Sequence, residues 1–580
     1  MIFRRAILLV VLVVLTSATA FGAGALMGRY DPCQTSYTPE KLEPPLALLW
    51  EYTANKYENN PAPPAVADGV CYFACGDRVY AVDTSTGSLK WKYPSDQRLG
   101  GYVKASPAVH DGNVYFGAGD GNLYCVNAAT GAFQWAYQTR GAIRCPPVIS
   151  DNDMIYVGAD DNSLYAIDAG SGDAKWSFTG RDDIAVGVAV GTGMAVVSCM
   201  DGNMYGINAN SGKLRWIQRL PLAPTRTSPV ISQNIVVMAV GSQMFGLSLR
   251  SGRLRWAVRL PAEAAASPAV DGSDIYVPCR NKMIYAYTSV GRNLSLKWTE
   301  PAELGSMPMS SPTIAQNVLY ITGSKGVIAA FSAVDGNLKW RYLTTPSAVT
   351  TPSSLYTDAA SSPIVAEGSL FVLTDDGVLH RFTQDAPDNA VPTVFRMAPT
   401  NGIAMSGAPP IKMSAVLYDI GSGVDFFTAA LYLDGQSTER EVDILASSIS
   451  FQTKAGTADK AVTALKDGVH TITVTAKDYK GNLLKREWYF LADSSLPPPR
   501  RIKPAAAPGK KVKEPPQRTR PTPRPAPQPT PQPGGPERPP PPPPPPAGMR
   551  PGAPPGAGGP YGPGPAGPPP GGPPPVVIIR

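Results

Sequence analysis

Histidine, paired cysteines and net charge are all scarce in this chain, and each shortage removes a class of function. Only three histidines, His110, His380 and His470, occur in 580 residues. None has the spacing of a metal-ligand pair, so no histidine metal site is expected. The seven cysteines include no adjacent pair. Cys71 and Cys75, four apart on one predicted strand, would stand about 13 Å apart at ~3.3 Å per residue, too far for a disulfide. From Pro497 to Arg580 there are 12 Lys/Arg and 2 Asp/Glu, a net of +10 against +7 for the whole chain. The remaining body is therefore close to neutral and lacks the basic face that a nucleic-acid partner requires.

The first 28 residues read as a targeting segment. Arg4 and Arg5 precede an uncharged, mostly apolar run from Ala6 to Gly28. That arrangement holds the start in the cytoplasm and sends the rest of the chain outside. Ala18-Thr19-Ala20 is a small-residue cleavage site, and the run is also long enough to remain as a membrane anchor. The expected location is extracytoplasmic: periplasmic, membrane-anchored or at the cell surface. Cys33 lacks the small and aliphatic residues that a lipoprotein signal places before its cysteine.

Tryptophan sets the period of the body. Trp50, Trp91, Trp135, Trp176, Trp216, Trp256, Trp298 and Trp340 are separated by 41, 44, 41, 40, 40, 42 and 42 residues. A repeat of this length with strand-like content marks a β-propeller of four-stranded blades. Ala81-Val-Asp-Thr-Ser-Thr-Gly87-Ser-Leu-Lys-Trp91 recurs around Gly131, Gly172, Gly212, Gly252 and Gly336, while the repeat before Trp298 is looser. The glycine fits a tight turn that needs positive φ. The tryptophan, hiding roughly 150–250 Å², packs between blades. Blade starts fall near Pro64, Pro107, Pro147, Gly187, Pro229, Pro268, Pro312 and Pro363. The eighth repeat has no tryptophan strand, and Leu48–Tyr52 supplies it from the other end. Closure of this kind removes the open sheet edge. The expected fold is all-β: an eight-bladed propeller over residues 46–385.

These residues resemble the repeat of the quinoprotein dehydrogenases, Ala-x-Asp-x-x-Thr-Gly-x-x-x-Trp, and are also similar to the propeller subunit of the outer-membrane barrel-assembly machinery. The Gly-His and Trp-Asp pairs of WD40 propellers do not occur. The first resemblance implies pyrroloquinoline quinone (PQQ) with calcium, the second a non-enzyme that binds partners through loops on one face. In the dehydrogenases the cation ligands come with long insertions and an adjacent cysteine pair. Here the blades are stripped to about 40 residues. No catalytic residue, cofactor or metal is therefore expected. Asp160-Asp161 and Asp375-Asp376 read as turn residues and Asp182-Asp183 as a solvated loop. Cys75, Cys199 and Cys279 share one small-residue position of the repeat, Cys125 and Cys145 occupy others, and all read as core filler.

Past the propeller, residues 392–493 read as an immunoglobulin-like β-sandwich of short strands. Asp419-Ile-Gly-Ser-Gly-Val-Asp425 resembles bacterial immunoglobulin-like domains of surface proteins. Asp419, Asp425 and Asp478 are candidates for calcium, with turn capping the simpler reading. Residues 497–580 are too rich in proline for a core and form a disordered basic tail. The expected protein is a monomeric, non-catalytic binding or scaffolding component of the cell envelope. Its partners are proteins or envelope polymers, with the membrane added if the first segment stays uncut. The alternatives are an extracytoplasmic PQQ-dependent dehydrogenase and a carbohydrate- or wall-binding surface protein.

Overall fold

The computed structural model describes residues 24–54, 61–184, 187–223, 227–344, 360–444, 447–453 and 464–497. The targeting segment up to residue 23 and the tail from residue 498 lie outside them. Every regular element among the described residues is a strand. Eight sheets of four or five strands follow one another in the chain, each antiparallel in its blade strands. Their innermost strands begin at Ala65, Ala108, Val148, Val188, Val230, Ala269, Thr313 and Ile364, each one residue past the blade start read from the sequence.

The eighth blade pairs Ile364–Ala366, Ser369–Leu373 and Val378–Thr383 with Ala47–Thr53 from the other end of the propeller. Across this joint Glu367 accepts the Gly69 N–H at 2.7 Å and the Thr84 hydroxyl at 2.9 Å. The ring is thus closed by pairing rather than by a covalent connection.

The repeat's aspartate, glycine and tryptophan work together. Asp83 Oδ1 accepts the N–H groups of Ser85 and Thr86, both at 3.0 Å. The Ser85 hydroxyl leads the contacts that hold this carboxyl down at about 2. Asn127, Asp168 and Asn208 repeat this turn, which a short polar side chain stabilises by mimicking backbone. The turn brings its glycine onto the tryptophan of the preceding blade. A Cβ built on Gly87, Gly131, Gly172, Gly212, Gly252 or Gly336 would lie 2.7–3.1 Å from the ring of Trp50, Trp91, Trp135, Trp176, Trp216 or Trp298 respectively. The ring nitrogens of Trp50, Trp91, Trp176, Trp216 and Trp298 donate to carbonyls of the same turns at 2.8–3.2 Å. Trp256 keeps its place and burial but its Nε1 has no partner.

A β-sandwich follows. One sheet orders Thr393–Ala398, Lys412–Tyr418, Ser448–Gln452 and Glu441–Asp443; the other orders Ala404–Met405, Leu483–Ala492, Gly468–Asp478, Val424–Leu433 and Gln436–Ser437. Trp488, 3% exposed, sits in its core. The sandwich also completes the propeller. Blade 8 has no turn of its own to cover Trp340, and Ser422 of the sandwich accepts the Trp340 Nε1–H at 2.8 Å instead. Nearby, Ile420 accepts the Tyr342 hydroxyl and Gly421 accepts the Leu48 N–H, both at 3.1 Å.

All seven cysteines are thiols, and the three at the shared repeat position are fully buried. Burial pushes Cys145 and Cys125 up to about 11, which leaves them unreactive at neutral pH.

Two glycines separate the conformational cost of the turn from the cost of displacing a ring. Gly131 has φ 71° with Trp91 against it, whereas Gly112 has φ 69° with nothing within 4 Å. Gly112→Ala should cost about 1–2 kcal/mol for the left-handed backbone alone. Gly131→Ala should cost a further ~1–3 kcal/mol for overpacking. Urea unfolding of the two variants measures the difference.

Candidate functional site: the filled channel and its mouth

Each innermost strand is a sheet edge, with backbone groups facing the ring's axis. Buried N–H groups there need partners. Residues 24–42 supply them. Val66 donates to Ala25 O and Val109 to Leu26 O, each at 2.8 Å, and Val190 donates to Pro32 O at 2.7 Å. Ile231, Val270 and Ile314 donate to the carbonyls of Cys33, Thr35 and Ser36 at 2.8–2.9 Å. Ile149 N–H meets the Met27 sulfur at 3.4 Å, and Val365 N–H the Tyr30 hydroxyl at 2.6 Å. All eight blades therefore hold the same segment.

Other contacts fix this plug at both ends. Tyr37–Thr38 pairs in parallel with the innermost strand of blade 7. Glu40 accepts the N–H groups of Glu367 and Gly368 at 3.2 Å each. Ala25 is fully buried and Met27 nearly so. By sequence, residues 24–28 end a targeting segment and the propeller begins at residue 46. The structure instead seats residues 24–45 in and around the channel.

Where the innermost strands begin, a cavity of about 740 Å³ opens beside the plug. Its lining includes Arg29, Lys104 and Arg144 with the hydroxyls of Ser106, Ser228 and Ser267, and no carboxylate among the described residues. Arg29 is the most constrained of the cations. Its Nε donates to Ser36 Oγ at 2.7 Å and its Nη2 to Pro268 O at 2.5 Å, while the buried Nη1 has no partner. Burial lowers its pKa to about 10, so it remains charged at neutral pH. Arg144 reaches Asp160 at 2.9 Å across an exposed edge, a pair worth little in stability. The mouth is thus built to receive an oxyanion. A quinone-bound cation needs carboxylate oxygens and the reaction needs a base. The residues lining the mouth supply neither.

The other sequence candidates fall elsewhere. Asp161 and Asp376 accept backbone N–H groups of their own turns, and Asp182 accepts the Asp183 N–H. Asp161 also belongs to a repeated pair that the reading of the turns alone misses. Tyr124, Tyr165 and Tyr205 donate to Asp120, Asp161 and Asp201 at 2.8, 2.6 and 2.5 Å. The signal is present as Asp-x-x-x-Tyr in three successive repeats. His110 bonds Asp153, His380 lies between Glu51 and Thr374, and His470 bonds Asp434. Of the three aspartates that are candidates for calcium, Asp419 and Asp478 come together, but Asp425 caps the Phe427 N–H instead. Asp388, from the linker after blade 8, takes the third place.

A family model described as outer membrane protein assembly factor BamB matches residues 76–243 and 201–390, together more than half of the chain. The chain belongs to this family. Its propeller is also similar to curated dehydrogenases. It is 34% identical over 138 residues to a 1-butanol dehydrogenase (cytochrome c) of Thauera butanivorans, covering 21% of this chain and 20% of that one. It is 36% identical over 102 residues to a quinohemoprotein alcohol dehydrogenase of Comamonas testosteroni, covering 16% and 14%. The matched stretches thus span a fifth or less of those relatives. Among solved structures, quinohemoprotein alcohol dehydrogenase ADHIIG from Pseudomonas putida HK5 aligns with a TM-score of 0.50 at 14% identity, covering 66% of this chain and 83% of that one. BamB from Moraxella catarrhalis aligns with 0.45 at 17%, covering 60% and 99%. This BamB-family chain is a PQQ-type propeller protein, and at these identities the structural likenesses speak to fold alone.

The plug's hold on blade 8 is testable. Tyr30→Phe leaves the Val365 N–H without its partner and should cost about 1–3 kcal/mol. Lys104→Ala at the exposed rim should stay within about 0.5 kcal/mol of the parent. Equilibrium denaturation of both variants reads the contrast.

Proposed function

We propose that this chain is a non-catalytic binding and scaffolding protein of the cell envelope, engaging protein partners or envelope polymers through the propeller loops and the sandwich. One observation carries the reading. The propeller's axis is filled by its own residues 24–42, which satisfy the inward N–H groups of the blades. What remains open is a mouth of cations and hydroxyls suited to an anionic group on a partner. Arg4, Arg5 and the apolar run after them support export, and kinship with an outer membrane assembly factor supports an envelope role. The immunoglobulin-like character of the sandwich and the disordered tail belong to the same reading.

An extracytoplasmic PQQ-dependent dehydrogenase is the competing reading, favoured by the alcohol dehydrogenase relatives and disfavoured by the donor set at the mouth. A carbohydrate- or wall-binding surface protein differs in ligand, and the basic tail favours it.

The decisive test titrates the purified full chain with PQQ while calcium is held constant. Tryptophan fluorescence reports binding, and an alcohol panel with an artificial electron acceptor reports turnover. We expect no saturable change at micromolar quinone and no dye reduction. Saturable binding with dye reduction would replace the scaffold reading by the dehydrogenase one. In parallel, Lys104→Glu should weaken capture of an envelope partner by cross-linking.

A further inference from the structure

Three carboxylates meet where the propeller hands over to the sandwich. Asp388 comes from the linker after blade 8, Asp419 from the loop that covers Trp340, and Asp478 from the end of strand Gly468–Asp478. One oxygen of each lies within 4.8 Å of the others. Asp419 is 4% exposed and Asp478 2%. Among the described residues none of the three has a cationic partner.

Most of their oxygens are used by backbone. Asp388 accepts from Ala390 N at 3.1 Å and Ser422 N at 2.8 Å. Asp478 accepts from Lys480 N at 2.9 Å, Asn482 N at 2.8 Å and Asn482 Nδ2 at 2.7 Å. Asp419 Oδ2 accepts from Gly421 N at 3.0 Å and Gly423 N at 2.8 Å. Its Oδ1 is buried with no partner at all. An unpaired buried carboxylate oxygen carries a large desolvation cost unless something positive reaches it. Gly421 is required for the approach, since a Cβ there would fall 2.2 Å from the Asp388 carboxyl.

We propose that Asp388, Asp419 and Asp478 form a calcium site at the seam between propeller and sandwich, with the buried Oδ1 of Asp419 as a direct ligand. Calcium takes oxygen ligands at about 2.3–2.6 Å, so two ligands of one ion stand up to roughly 5 Å apart, and the observed spacing fits within that shell. The smaller, more rigid shell of magnesium suits a compact partly buried carboxylate set less well. Burial, and then the Asp388 and Asp478 charges, raise Asp419 to about 6, so it is ionised at neutral pH and offers charge to a cation. The ion ties together the linker, the loop over Trp340 and the hairpin of the sandwich. Binding therefore sets how firmly the sandwich is held to the ring. This site stands independently of the function proposed above and departs from the expectation of no metal.

The test uses the full chain, stripped with chelator and titrated with calcium by calorimetry and thermal melting. One saturable site is expected, with a rise in Tm, and terbium should occupy it with luminescence sensitised by excitation of the protein's tryptophans. Asp419→Asn and Asp388→Asn should each weaken calcium at least tenfold while the stripped variants melt cooperatively as β-proteins. Asp388 is only partly buried, so its variant remains informative if Asp419→Asn fails to fold. No saturable heat at millimolar calcium, or an undiminished Tm rise in Asp388→Asn, would overturn the assignment.

Discussion

The joint on which the ring depends is a tryptophan face lying on a glycine. Each blade's sheet ends in an indole that covers the turn of the next blade, at a distance where a methyl group could not be inserted. The contact is dry and broad, and ~25 cal/mol/Å² sets an upper bound of ~4–6 kcal/mol per buried indole. The ring nitrogen's bond to a turn carbonyl adds direction to an otherwise non-directional contact. Because the turn needs the left-handed backbone as well, one residue type satisfies two demands. That is why the repeat tolerates Ser, Ala, Asp or Lys beside the glycine but keeps the glycine itself at six of its turns.

A ring has as many joints as blades, and the two joints at the seam are made differently. Trp50 comes from the strand that precedes blade 1 in sequence, and it closes blade 8 onto the blade 1 turn. Trp340 is covered by Ser422 of the sandwich. The sandwich therefore fills the last turn position of the propeller, and the two regions meet through core contacts rather than through a free linker. Arg341 and Tyr479 pack at the same boundary, and Gly423 approaches the Arg341 carbonyl with φ 89°.

Much of this is legible in the sequence because it is periodic. The tryptophan spacing, the Asp-x-x-Thr-Gly turns and the orphan strand at Leu48–Tyr52 each repeat or complete a pattern, and the observed strands fall on them. The plug is not legible, for a physical reason. Its contacts with the blades are mainly backbone carbonyls, from Ala25, Leu26, Pro32, Cys33, Thr35 and Ser36. A backbone carbonyl is the same in every residue, so such a segment shows no period and no characteristic composition. The third aspartate of the seam is hidden differently. Asp388 lies in a linker 31 residues before Asp419 and 90 before Asp478, and only folding brings it to the other two. Asp425 sits closer in sequence and is the natural choice by spacing, yet its carboxylate turns to cap a backbone N–H.

Filling the axis has a consequence for export. The apolar run from Ala6 to Gly28 reads as one segment, yet Ala25 and Met27 are spent on the channel. A membrane span is then confined to residues before Gly24, near the short end of what crosses a hydrocarbon core at 1.5 Å per residue. Cleavage after Ala20 would instead leave the plug whole, with a few residues preceding it. Either way the segment that directs export runs directly into the segment that completes the propeller. The eight inward N–H groups lack these partners until residues 24–42 are in place, and the blades that need them lie downstream. Completion of the ring therefore couples to delivery of the chain's start to the same compartment as its end. That constraint fits a protein that folds only outside the cytoplasm.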